Sequence, residues 1–319
     1  MPMLAYIQIT PWLWVVFVVS ILAALALDLG VFHRHAREVR FKEALAWSLL
    51  WFLLSMGFAV SMLYLRGHDT ALAFLTGYLI ELSLSMDNVF VMALIFAYFR
   101  IPAQYQHRVL FWGILGALLM RGLMIAGGAA LIARFHWTLY VFGAFLVFTG
   151  IKMCFGSHEG VHPEKNPVIR LARKIYPVSP ELDGQRFFTR WQGRRAFTPL
   201  ALVLIMVETT DLVFALDSIP AIFAITRDAF IVFTSNVFAI LGLRSMYFVL
   251  AGAIRYFRYL KYGLSVVLVF IGLKMLAEMW GFHLGTAWSL GVVGAILLLA
   301  VLASVLKTRA ERAARGEPA

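Results

Sequence analysis

Residues 198–226 read TPLALVLIMVETTDLVFALDSIPAIFAIT. The run is apolar and long enough to cross a bilayer, which takes about 20 residues of helix. It is continuously apolar rather than alternating, so it reads as a helix and not as a barrel strand. Yet it carries three carboxylates, Glu208, Asp211 and Asp217. A charged side chain at the centre of a bilayer costs at least about 2.5–3.5 kcal/mol on insertion scales. That cost persists where the group faces a cavity, binds a cation or carries a proton.

Similar runs recur along the whole chain. Of its 319 residues 62% are hydrophobic and only 14% charged, whereas a soluble domain carries about 25% charged residues. The spacing predicts an all-α polytopic membrane protein with about nine spans, near 12–32, 44–65, 71–99, 109–133, 138–155, 198–226, 229–254, 262–282 and 286–306. Ala24-Leu25-Ala26 resembles a signal-peptidase box, but no Lys or Arg precedes the first apolar run, as a signal peptide requires. The segment is therefore read as the first span.

The net charge of +11 comes from connectors between spans. That pattern points to anionic lipid headgroups and away from nucleic acid. With the N-terminus outside, 21 of the 28 Lys and Arg residues fall in inside segments, three outside (Arg66, Arg134 and Arg227) and four within spans (Arg121, Lys152, Arg244 and Lys274). The bias follows the positive-inside rule and predicts a periplasmic N-terminus and a cytoplasmic C-terminus. The one long connector, 156–197, is then cytoplasmic. Within it Val168, Leu171, Ala172 and Ile175 share a helical face, and Arg170, Arg173 and Lys174 lie mostly opposite. This suits either a short helix in the headgroup layer or a basic solvated linker.

The spans repeat. ELSLSMDN at 81–88 and DLVFALDS at 211–218 each place an acid six residues before an aspartate, which a small polar residue follows. Arg121 and Arg244 come next, each mid-span. Phe148-Thr149-Gly150-Ile151-Lys152-Met153 then parallels Phe270-Ile271-Gly272-Leu273-Lys274-Met275. The expectation is one transporter domain over 1–319, with repeat A at about 71–155, the connector at 156–197, and repeat B at about 198–282. Three helices per repeat is an odd number, so the copies enter the membrane from opposite sides. That is the inverted 3+3 plan of many secondary transporters, with the first, second and ninth helices peripheral.

Five acids in two helices (Glu81, Asp87, Glu208, Asp211 and Asp217) outnumber Arg121, Arg244 and Lys274 as pairing partners. They read as a cation pathway, with Ser83, Ser85, Asn88, Thr209, Thr210 and Ser218 as neutral oxygens. The candidate metal ligands are Glu81, Asp87, Asn88, Glu208, Asp211, Asp217 and Ser218. A six-residue step turns a straight helix to about 120° away and rises about 9 Å, so one helix cannot aim both its acids at one ion. Either the helices unwind, helped by Pro220 freeing the Leu216 carbonyl, or the acids form tiers. Inverted symmetry predicts Glu81 with Asp217 in an outer tier, Asp87 with Asp211 in an inner one, and Glu208 as an inner recruiting ligand.

An oxygen-only donor set suits Mn²⁺, Ca²⁺ or Mg²⁺ over Zn²⁺ or Cu⁺. His33, His35, His107, His158 and His162 read as surface residues, and Met86 and Met206 as packing. The single cysteine, Cys154, excludes an intramolecular disulfide and a CxxC redox motif. No prosthetic group, enzyme active site or nucleotide-binding motif is expected. The rival readings are an exporter of a small organic solute such as an amino acid, and a non-transporting membrane partner of stress or redox proteins.

The stretches Glu81-Leu-Ser-Leu-Ser-Met-Asp87-Asn88 and Glu208-Thr-Thr-Asp211-Leu-Val-Phe-Ala-Leu-Asp217-Ser-Ile-Pro-Ala221 resemble the signature of the TerC family of integral membrane proteins. Chain length, the nine-span plan and Asn166-Pro-Val-Ile-Arg-Leu resemble its Alx branch most. The resemblance covers nearly the whole chain and implies Mn²⁺ export from the cytoplasm across the bacterial inner membrane. It carries the family's acids onto Glu81, Asp87, Glu208, Asp211 and Asp217, with Asn88 and Ser218 beside them. Manganese comes from the resemblance alone. The family name refers to tellurium resistance, and Alx members are also labelled redox modulators.

Overall fold

A computed structural model describes residues 11–27, 41–155, 166–250, 260–282 and 284–314. The runs predicted as spans are helices: α1 (Pro11–Leu27), α2 (Phe41–Arg66), α3 (His68–Tyr98), α4 (Ala103–Arg134) and α5 (Thr138–Phe155) precede the connector. After it come α7 (Pro199–Phe223), α8 (Ala229–Leu250), α9 (Leu260–Ala277) and α10 (Thr286–Ala314). Eight of them are long and apolar enough to cross a membrane, and α1 is apolar but shorter. The protein is an all-α polytopic membrane protein. Helix α1 runs unbroken through Ala24-Leu25-Ala26.

From Asn166 on, the connector holds regular structure. Pro167–Ile175 forms helix α6, where the Asn166 side chain accepts from the Val168 and Ile169 amides and so satisfies donors that a helix start leaves open. Phe188–Trp191 (β1) and Arg194–Phe197 (β2) pair antiparallel, with Arg190 opposite Arg195. Their turn, Gln192-Gly193, has φ of 51° and 75°, the left-handed pair that a two-residue hairpin needs. Thr198 then caps α7, and Pro199 fills its first turn, where a missing N–H costs nothing.

Two contacts set the direction of the helices. Arg66, just before α3, donates to Asp228, just after α7, at 2.6 Å, so α3 starts where α7 ends. At the other end Arg108 of α4 donates to Gln185 at 3.3 Å and its guanidinium lies 5.3 Å from the Phe187 ring centroid. Helices α4 and α7 therefore start together, and α3 and α7 run antiparallel.

Helices α3, α4, α7 and α8 pack against one another at the centre, with α8 the most enclosed of the spans. Helices α2 and α10 are the least enclosed spans. They present exposed Leu45, Leu49, Leu53, Leu298, Leu299 and Leu302 outward, as a lipid-facing surface does.

Helices α5 and α9 lie against each other at backbone contact distance. A Cβ on Gly150 would meet the Ser265 carbonyl at 2.8 Å and the Val269 side chain at 2.8 Å. A Cβ on Gly272 would meet the Gly143 carbonyl at 2.6 Å and the Val147 side chain at 2.8 Å. Small residues of this kind let membrane helices approach closely and gain packing that apolar lipid tails do not replace.

Candidate cation site

Both acidic helices remain continuous through their motifs, and Pro220 lies inside α7 without ending it. Side chains four and seven residues apart share one face of such a helix. On α3 that face is Glu81, Ser85 and Asn88, all buried, and on α7 it is Asp211, Ala215 and Ser218, all buried. The two faces meet: the Asn88 amide donates to Asp211 Oδ1 at 3.4 Å.

Between them lies Arg121 of α4, one of the largest fully buried side chains. Its Nε donates to Asp211 Oδ2 at 3.0 Å and its Nη2 to Asp211 Oδ1 at 2.7 Å, a bidentate fork. Its Nη1 donates to Glu81 Oε1, to Asn236 Oδ1 of α8 at 2.6 Å and to Ser218 Oγ at 3.4 Å. One guanidinium thus draws together three other helices. Charge-assisted, bidentate bonds are about twice as strong as neutral ones, and a buried guanidinium needs them to offset its lost hydration.

The cluster is nevertheless incomplete. With its side chains ionised, two carboxylates face one cation, an excess of one negative charge. Glu81 Oε2 and Asn88 Oδ1 are buried with no hydrogen-bond partner, and so is Glu208 Oε2. Glu208 lies one turn before Asp211 and within its electrostatic reach, its carboxylate lying in the space that the missing side chain of Gly116 leaves on α4. Oxygen atoms buried without donors are costly, and they are what a cation would satisfy.

The remaining acids point elsewhere. Asp87 is half-buried and lies within electrostatic reach of Lys261 at the start of α9. Asp217 is half-buried beside Thr149 and Lys152 of α5. The expected tiers, Glu81 with Asp217 and Asp87 with Asp211, therefore do not form. Glu81 joins Asp211 through Arg121 instead, because both lie near the middle of their helices. Helix α3 begins at His68, not 71, and α7 ends at Phe223, not 226, and those shifts bring Glu81 and Asp211 to one level. Among the described residues no three His, Cys, Asp or Glu side chains converge on one point.

Arg244, the counterpart of Arg121, takes a different partner. It is buried, and its Nη1 lies 3.3 Å from His107 Nε2. His107 is thus a buried residue of α4 rather than a surface one, because α4 starts at Ala103 and not at 109. His33, His35, His158 and His162 lie outside the described residues. A narrow, mostly apolar cavity has both Asp211 and Arg244 in its lining, together with Met92, Leu110 and Val207. Lys274 donates to the Ala224 carbonyl at 3.3 Å, at the end of α7. Met206 packs as expected, its sulfur accepting from the Asn166 amide at 3.5 Å.

Asn236 had no place in the motif reading. It is a lone amide in the apolar run of α8, and that isolation was its signal.

The comparisons agree with this architecture. The model of the TerC family of integral membrane proteins matches residues 66–312. An uncharacterised membrane protein of Myxococcus xanthus is 54% identical over 300 residues, 94% of each chain. The protein of Escherichia coli strain K12 named as a proposed membrane-bound redox modulator, Alx, is 49% identical over 299 residues, 91% of this chain and 93% of its own. A membrane protein of Rickettsia bellii is 43% identical over 294 residues, 92% of this chain and 97% of its own. No solved structure matches. The match takes in all of α3 to α9 and with them every residue around Arg121, so the chain belongs to the TerC family of integral membrane proteins.

Proposed function

We propose that this chain is a secondary transporter that exports Mn²⁺ from the cytoplasm across the bacterial inner membrane, with protons as the exchange partner. One observation carries the reading. Glu81 and Asp211 are buried carboxylates from antiparallel mid-membrane helices, gathered around a single cation, with unpartnered oxygens on Glu81 and Asn88. The donor set is all oxygen, which suits a hard divalent ion. Manganese among such ions rests on the family resemblance.

The inverted repeat belongs to the same proposal. Gly150 against Ser265 and Val269, and Gly272 against Gly143 and Val147, are one contact set seen twice at a constant sequence offset. Contacts that exchange in this way support a two-fold relation between 71–155 and 198–282. Antiparallel α3 and α7 support its inversion. The periplasmic N-terminus and cytoplasmic C-terminus rest on the Lys and Arg bias.

The bacterial relative's redox name suggests a second role, but Cys154 is the only thiol here, and thiol–disulfide exchange within one chain needs two. A small organic solute fits less well, because the cavity at Asp211 is narrow and mostly apolar.

Expression in a Mn²⁺-sensitive strain is expected to lower cell-associated Mn²⁺, and Asp87→Ala, Asp211→Asn and Asp217→Ala to abolish that effect. Unchanged cell Mn²⁺ with the wild-type chain would sink the exporter reading.

A further inference from the structure

We infer that Arg121 is a tethered cation: its guanidinium occupies the position of the transported ion, and it must release Glu81 and Asp211 before a divalent cation binds. The inference rests on the divalent-cation reading and adds to it the residue that opposes binding.

Three observations carry it. First, Arg121 occupies the ligands themselves. Every carboxylate oxygen of Asp211, and one of Glu81, accepts from it, and Ser218 and Asn236 accept as well. Second, the oxygens it leaves unpartnered, Glu81 Oε2 and Asn88 Oδ1, are buried beside it on the same face of α3. A cation drawn to them arrives where the guanidinium already is. Third, the guanidinium has somewhere to go. Glu208 lies one turn along α7 from Asp211, about 4.5 Å by helix rise, with a buried unpartnered oxygen of its own.

The charge balance gives the exchange a direction. Two carboxylates with one guanidinium carry an excess negative charge. The same carboxylates with one divalent ion are neutral. Exchange therefore removes a buried net charge, and the departing guanidinium meets Glu208, a carboxylate with one oxygen still unpartnered. The reverse exchange expels the ion. It also keeps the empty site from returning across the membrane with two bare carboxylates, whose burial without a cation is strongly unfavourable.

A ligand that binds only one of two states has its apparent affinity reduced by the fraction of molecules in that state. If Arg121 competes with the ion, removing it makes every molecule competent. The full-length protein in nanodiscs, titrated with MnCl₂ by calorimetry, tests this. Arg121→Gln is expected to bind Mn²⁺ about tenfold more tightly than wild type, while cellular Mn²⁺ efflux is lost because the ion is not expelled. Arg121→Lys keeps a charge but lacks the fork that spans both carboxylates, so its affinity should fall between the two. It also serves if Arg121→Gln fails to fold. Unchanged or weaker Mn²⁺ binding in a folded Arg121 variant, with wild type binding normally, overturns the inference and leaves the transport reading standing. Absence of Mn²⁺ binding in wild type and in every folded Arg121 variant alike overturns both.

Discussion

Glu81 and Asp87 sit six residues apart on α3, and Asp211 and Asp217 do the same on α7, yet the first acid of each pair and the second live in different surroundings. Glu81 and Asp211 are buried on facing surfaces and tied to one guanidinium. Asp87 and Asp217 are half-buried on the flanks, within electrostatic reach of α9 and α5. The cause is helix geometry: a six-residue step turns the second acid about 120° from the first. One motif thus supplies two kinds of carboxylate. One closes the centre, and the other faces the helices that flank it.

Neutralising one acid of each kind separates the two roles. Asp211→Asn breaks the bidentate fork that holds Arg121 and so removes one partner of a buried ion pair, a change that costs about 3–5 kcal/mol. The expected outcome is a large drop in thermal unfolding temperature in detergent, or loss of folded protein. Asp217→Asn touches a partly exposed flank and should cost no more than about 1 kcal/mol, while still abolishing Mn²⁺ efflux. Equal destabilisation by the two would erase the distinction.

A smaller effect is expected at Asn236, which accepts from Arg121 at 2.6 Å. Asn236→Ala removes a hydrogen bond to a charged group, worth about 1.5–3 kcal/mol. Because both carboxylates keep the guanidinium, the variant should fold with a lowered unfolding temperature. If Arg121 competes with the ion, Mn²⁺ affinity should rise as well. An unfolding temperature equal to wild type would show that α8 contributes nothing to the centre.

The flank can be disturbed separately. Gly272 lies so close to Gly143 that Gly272→Leu must part α5 from α9, an overpacking that costs about 1–3 kcal/mol. Parting them moves Thr149 and Lys152 relative to Asp217 but leaves all partners of Arg121 in place. Efflux should fall while Mn²⁺ binding by the purified protein stays near wild type. Loss of binding would mean that flank and centre are a single unit.

The fold was legible because a bilayer demands long apolar runs, and those runs stand out from their charged connectors. The acids were legible for the same reason, since a carboxylate in such a run is conspicuous. Which acids meet was not legible. It depends on where each helix starts, and a few residues at His68 and Phe223 shifted the level of Glu81 against Asp211. The same uncertainty, at the start of α4, hides the burial of His107. Arg121 and Arg244 each follow an acidic motif at mid-run and are equally visible in the sequence. Only tertiary packing sends one to Asp211 and sets the other beside His107. The hairpin at 188–197 was not legible, because strands of four residues are too short for alternation to speak.

The gentlest test concerns what holds Asp211 at its level. Helix α6 packs on the first half of α7 through buried Ile169 and Ala172, and Asn166 reaches Met206. Its other apolar residues, Val168, Leu171 and Ile175, are exposed beside Arg170, Arg173 and Lys174. An apolar stripe edged with cations suits the headgroup layer of an anionic bilayer, which would fix α6 in height and α7 with it. A nitroxide on Leu171→Cys, in a Cys154→Ser background, reports this in nanodiscs. Leu171 is exposed, so the substitution should shift stability by no more than about 0.5 kcal/mol. Relaxation of the label should be dominated by lipid-soluble oxygen. Dominance by a water-soluble nickel complex would make α6 a solvated linker, and the level of Asp211 would then rest on Arg121 and the cap at Thr198 alone.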